Sequence, residues 1–151
     1  MSEETIKARI GQELIAALKQ KNADLAATLR LLSAALSARE KELFAKGESG
    51  PLADAECVVV LQKEAKKRKE SIAAFQSGNR LDLADKEAAE LAIIQKFLPA
   101  EMSEEEIISI IDEVLQGVAA DFGTAMRAVL AKTAGRADGK VVSELIKSRM
   151  K

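Results

Sequence analysis

The chain contains no histidine, no tryptophan and no tyrosine, and only one cysteine and two prolines among its 151 residues. Without histidine there is no His-based triad, no imidazole general base and no imidazole metal ligand. A single cysteine, Cys57, allows neither an intramolecular disulfide nor a Cys-built zinc site. The four aromatic residues are all phenylalanine, a poor supply for the stacking platforms that hold single-stranded nucleic acid. Net charge is −1, so the whole-molecule field signals no polyanionic partner. An apolar run such as Cys57 to Leu61 is far too short to span a bilayer. The opening MSEETIKARI lacks the apolar core of a signal peptide. These absences lead us to expect a cytoplasmic protein with no membrane attachment, no metal and no cofactor.

What is present favours helix. Hydrophobic residues make up 48% and charged residues 31% of the chain, a balance suited to a folded globular protein. Alanine, leucine, glutamate and lysine dominate, and strong helix formers with few breakers disfavour sheets.

Apolar residues recur with a helical period throughout. Ile6, Ile10, Leu14 and Leu18, with Ile15 beside them, predict a first helix over about 4–20. Asn22 is placed to cap a second, about 23–45, with Leu25, Leu29, Leu32, Leu36 and Leu43 on one stripe. Gly47, Gly50 and Pro51 mark a loop. Asp54 then predicts the cap of a third helix, about 55–77, carrying Val58, Leu61, Ala65, Ile72 and Phe75, with Gly78 at its left-handed stop. A fourth, about 81–97, turns Ala84, Ala88, Leu91, Ile94 and Leu98 inward, and Pro99 ends it. Ser103 and Glu106 form a capping box before a fifth helix striped by Ile107, Ile111, Val114 and Val118. A sixth covers about 123–133, with Phe122, Met126, Val129 and Leu130 apolar, and Gly135 stops it. Asp138 caps a seventh, about 139–149, with Val142, Leu145 and Arg149 aligned. The expected fold is all-α. A four-helix N-terminal bundle occupies 1–98 and a small three-helix tail occupies 99–151, with the boundary at Phe97-Leu98-Pro99-Ala100.

Charge is sorted along the chain. Residues 1–100 carry 16 basic and 15 acidic side chains, residues 101–121 carry seven acids and no base, and residues 122–151 carry seven bases and two acids. The last two helices are therefore basic and the one before them is acidic, so that it is placed to mask part of the basic surface.

Few constellations point to chemistry. Cys57 lies in an apolar run with no base to activate it, as a buried structural cysteine would. The segment Gly135-Arg-Ala-Asp-Gly139-Lys140 has the wrong glycine spacing for a phosphate loop, and Val141 stands where a magnesium-binding Ser or Thr is required. Arg136 and Lys140 nevertheless flank a helix N-terminus, where free N–H groups favour phosphate. A helix stop, turn and restart accounts equally for both glycines and for Asp138. Lys63, Lys66, Lys67, Arg68 and Lys69 cluster on the third helix. Lys63, Lys66 and Lys67 share one face, Arg68 falls on the apolar stripe and Lys69 points away. Glu64 and Glu70 stand four residues from Arg68 and Lys66, a spacing suited to ion pairs. The face Lys63, Lys66 and Lys67 is either a solvated surface or a contact for an anionic partner such as RNA. Glu87, Glu90 and Glu104 to Glu106 are explained largely by the helix dipole. No catalytic set emerges.

Two segments carry a family resemblance. One is Leu61-Gln-Lys-Glu-Ala-Lys-Lys-Arg-Lys-Glu-Ser-Ile, continued by Gly78-Asn-Arg-Leu-Asp-Leu-Ala and by Phe97-Leu-Pro. The other is Gly135-Arg-Ala-Asp-Gly-Lys-Val-Val-Ser-Glu-Leu. In order and spacing they resemble the GatB/YqeY family over nearly the whole chain. The resemblance implies a helical N-terminal domain and a helical tail similar to the one that ends the B subunit of the tRNA-dependent amidotransferase. In that enzyme the tail contacts tRNA, while catalysis occupies a separate domain that this chain lacks. What the resemblance implies here is a non-catalytic contact with tRNA or another structured RNA, mapped to Arg127, Lys132, Arg136, Lys140 and Lys147. Two alternatives stand beside it. One is a helical adaptor docking on an aminoacyl-tRNA synthetase or amidotransferase subunit. The other is a carbon–nitrogen ligase using glutamine as amide donor, as the family label suggests.

Overall fold

The computed structural model describes residues 4–117 and 121–150. Among these residues the chain forms seven helices and no strand: α1 (Ile6–Lys19), α2 (Ala23–Ala45), α3 (Asp54–Ser77), α4 (Leu81–Gln95), α5 (Glu104–Gly117), α6 (Phe122–Thr133) and α7 (Gly139–Arg149). The fold is all-α, as the periodicity predicts. The chain divides into two compact units, Met1–Leu98 and Pro99–Lys151.

In the first unit α1 pairs with α2 and α3 with α4, while α2 touches each of the other three. Leu29, Leu32 and Leu36 of α2 are fully buried against Ile10, Cys57, Leu61, Ile94 and Phe97. The α1 stripe departs from expectation at its end. Leu18 is 48% exposed and Ala17 is buried in its place. Steps of four residues drift about 40° each on a helix of 100° per residue, so the fourth member has left the inner face.

Helix ends also differ in detail. Asn22 caps α2 as expected, accepting from Leu25 N. Asp54 does not cap α3. It is the first residue of that helix, and the preceding Ala53 makes no side-chain cap bond. Its Oδ1 instead accepts from Ile6 N at 2.9 Å, satisfying an orphan donor at the start of α1. A carboxylate at one helix start serves another because the fold brings the two starts together. After α3 the left-handed residue is Asn79, with φ 56°, and not Gly78; Asn is among the few non-glycine residues that enter this region readily. Helix α4 ends at Gln95. Before Pro99 is reached, the chain tightens through i→i+3 bonds from Lys96, Phe97 and Leu98. Ala88 is exposed while Glu87 and Glu90 are half-buried, so the inner face of α4 is rotated from the one expected.

The second unit packs α5, α6 and α7 mutually, around Ile107, Ile111, Val114, Ala125, Val129, Val142 and Ile146. Val118, expected on the α5 stripe, lies outside the described residues. Ser103 and Glu106 form both bonds of the capping box, at 3.2 and 3.3 Å. On α6, Leu130 is 38% exposed, and the inner face runs through Ala125, Val129 and Thr133. The stop is Ala134, at φ 47°, followed by Gly135 at φ 83°. Asp138 caps α7 as expected, accepting from Lys140 N at 2.8 Å.

Candidate nucleic-acid interface

The basic side chains of the second unit fall into three groups. Lys132 and Arg149 face the acids of α5: Lys132 Nζ lies 2.8 Å from Glu113 Oε1, and Arg149 Nη2 lies 3.0 Å from Asp112 Oδ2. The acidic helix does cover part of the basic surface. Both pairs are solvent-exposed, at 44–68%, and such pairs are worth at most about 1 kcal/mol.

Arg136 belongs to a second group by itself. Its Nε donates to the carbonyl of Ala100 at 2.9 Å, and its own carbonyl accepts from Met102 N at 2.8 Å. It thereby ties the segment entering α5 to the loop leaving α6. This role is structural, and it explains a basic residue in the Gly135–Gly139 turn without a ligand. The start of α7 also carries its own carboxylate, since Asp138 accepts from the Lys140 N–H.

Arg127, Lys140 and Lys147 make up the third group, and all are exposed. Lys140 and Lys147 stand two turns apart on the face of α7 opposite buried Val142 and Ile146, with exposed Glu144 between them. Lys147 Nζ also lies 5.6 Å from the centroid of the Phe122 ring, a cation–π contact across to α6. Arg127 projects from α6 near Asp121. That carboxyl is held below its ordinary pKa chiefly by the Thr124 N–H, with the Thr124 hydroxyl next and Arg127 adding a smaller attraction. The five predicted residues thus differ in their partners: Lys132 pairs with Glu113, Arg136 binds the Ala100 carbonyl, and Lys147 lies over the Phe122 ring. Arg127 and Lys132, five apart on α6, diverge by about 140°.

The second predicted face lies in the other unit. Lys63, Lys66 and Lys67 are all exposed on α3, and Lys67 alone of the three has an acidic neighbour, Glu64 at 3.3 Å. Beneath them sits a cluster that sequence reasoning resolved only in part. The Arg68 side chain is 11% exposed and contacts Glu64 at 2.6 Å, Glu90 at 3.3 Å and Glu87 at 3.9 Å. The Glu64 pair follows from i,i+4 spacing. Glu87 and Glu90 come from α4, and their signal was an arginine on the apolar stripe of one helix followed by two glutamates on the next.

No arrangement suited to covalent chemistry appears among the described residues. Cys57 is fully buried, and burial, then the charge of Asp54, pushes its thiol pKa up, away from the reactive thiolate. A shallow cleft between the end of α2 and the start of α3 is lined by Glu40, Glu48 and Glu56. Lys7 Nζ donates to Glu40 at 2.6 Å and holds that carboxyl below its usual range, while Arg39 Nε engages Glu56 at 3.0 Å. No group of three His, Cys, Asp or Glu side chains among the described residues is placed to hold a metal ion. Among the described residues no helix is long and apolar enough to cross a membrane.

Comparison with known proteins adds two findings. A family model described as Yqey-like protein matches residues 7–150. An uncharacterized protein of Schizosaccharomyces pombe is 32% identical over 99 residues, which span 65% of this chain and 76% of that protein.

Proposed function

Because the chain belongs to the Yqey-like protein family, we propose that its C-terminal unit is a non-catalytic module that binds structured RNA, tRNA foremost, through phosphate contacts. The observation that carries this reading is the exposed set Arg127, Lys140 and Lys147, in a stretch where bases outnumber acids seven to two. Lys132 and Arg149 join it when RNA is present, because their exposed partners Glu113 and Asp112 yield easily to phosphate. Arg136 acts by holding the loop before α7 in shape. Phosphate contacts position a protein without reading bases, so affinity should vary little with sequence. The buried, raised-pKa Cys57 and the absence of histidine favour binding over catalysis.

The test is filter binding of a transcribed tRNA across a salt series, with Arg127, Lys140 and Lys147 replaced together by Gln. Each lost phosphate contact removes about 0.7–0.9 from the slope of log affinity against log salt. We expect the slope to fall by about two to three while helicity is retained. An unchanged slope would reject the tail as the RNA contact and favour docking on a synthetase or amidotransferase subunit.

A further inference from the structure

The arginine cluster within the α3–α4 pair changes what α3 presents outward. Glu64, Glu87 and Glu90 all converge on the single guanidinium of Arg68, with their side chains only 16%, 23% and 19% exposed, and Glu64 also reaches Lys67 at 3.3 Å. One cation thus draws three carboxylates inward, while Lys63, Lys66 and Lys67 remain outside. Over residues 63–70 the exposed face opposite Leu61 and Ala65 holds these three lysines against Glu70 alone. Lys63 and Lys66 have no acidic partner within 4 Å among the described residues.

We infer that the outer face of α3, presenting Lys63, Lys66 and Lys67, is a second contact for the phosphate backbone of RNA. The inference rests on the reading of this chain as an RNA-binding protein and adds a site in the other unit, which is tested separately from the tail. Lysine ammonium groups are compact charges on flexible stems, suited to phosphates without a fixed geometry. A membrane surface is a poorer match, because an interfacial helix needs a free apolar face to insert, and that of α3 is occupied by the unit's own core.

The experiment uses the full-length chain and a transcribed tRNA over a salt series. It compares wild type with Lys63→Gln/Lys66→Gln/Lys67→Gln, the corresponding triple Arg variant, and the Arg127/Lys140/Lys147→Gln variant. The expected result is a salt slope lower by about two to three in the α3 Gln variant, restored in the Arg variant, with unchanged circular dichroism. Combining the two Gln sets should lower the slope further than either alone. A wild-type slope in the α3 Gln variant overturns the inference, whatever the tail variant does. If the tail variant keeps its full slope while the α3 variant loses it, the tail reading fails and this one stands. Phosphatidylserine vesicles and polyglutamate serve as parallel probes. Binding to either that depends on these lysines, with the RNA slope intact, assigns the face to a lipid surface or an acidic protein and also overturns the inference.

Discussion

In the N-terminal unit, thirteen buried residues from four helices and the adjoining loops form one cluster, built on the leucines of α2. In the C-terminal unit the corresponding cluster has seven, from three short helices, and four of them are valine or alanine. The larger unit also takes charge inside, around Arg68, whereas the smaller keeps its ion pairs in solvent at α5. With less apolar surface to bury, the small unit depends more on its helix caps: Ser103 with Glu106, Asp121 and Asp138. The difference teaches where charge is structural and where it is available. A guanidinium held by three half-buried carboxylates cannot leave them for a ligand without loss of fold. An exposed lysine beside one exposed glutamate can.

That contrast can be broken most forcefully in the larger core. Leu32 is fully buried, and Leu32→Ala should lower stability by about 2–5 kcal/mol in urea unfolding. A near-neutral result would mean that α2 is not the centre of its unit. The charge contrast comes next. Arg68→Ala leaves Glu64, Glu87 and Glu90 facing one another without their cation and should lower stability by about 3 kcal/mol, whereas Lys132→Ala should lower it by less than about 1 kcal/mol. Equal effects in the same denaturation assay would erase the distinction between the units.

The smallest effect concerns a cap. The Asp121 carboxyl has its pKa depressed, mainly by the Thr124 N–H. A depressed folded-state value means that its contribution is present above the ordinary Asp pKa of about 3.9 and is lost as pH falls through the lower folded value. Asn also caps well but does not titrate. Asp121→Asn should therefore resemble wild type at neutral pH and show a shallower fall in melting temperature below about pH 4. Parallel acid profiles would exclude Asp121 as a source of pH dependence.

Much of this architecture was legible in the chain. Asn22, Asp138 and the Ser103–Glu106 box cap the helices they precede, because a cap is satisfied by N–H groups two or three residues away. The errors share a different cause. Leu18 and Ala88 sit on the expected stripes yet face solvent, since a stripe read from one helix does not show which neighbour sets its true inner face. Asp54 precedes an apolar run as a cap would, yet it serves Ile6, 48 residues away. Of the tail cations, local sequence could mark Arg136 as basic but not reveal that it binds the Ala100 carbonyl.

The amino-acid sequence by itself determined that the chain is helical, where each helix starts and stops to within a few residues, and that neither imidazole chemistry nor an intramolecular disulfide is available. These follow from composition and from interactions spanning one or two turns. Tertiary structure alone decided which charges are exposed and which are held. Glu87 and Glu90 reach Arg68 only because α4 packs beside α3, and Glu113 reaches Lys132 only because α5 packs beside α6. Coulombic and hydrogen-bond partners depend on distance in space, and residues 19 to 22 positions apart acquire that closeness only when the helices pack.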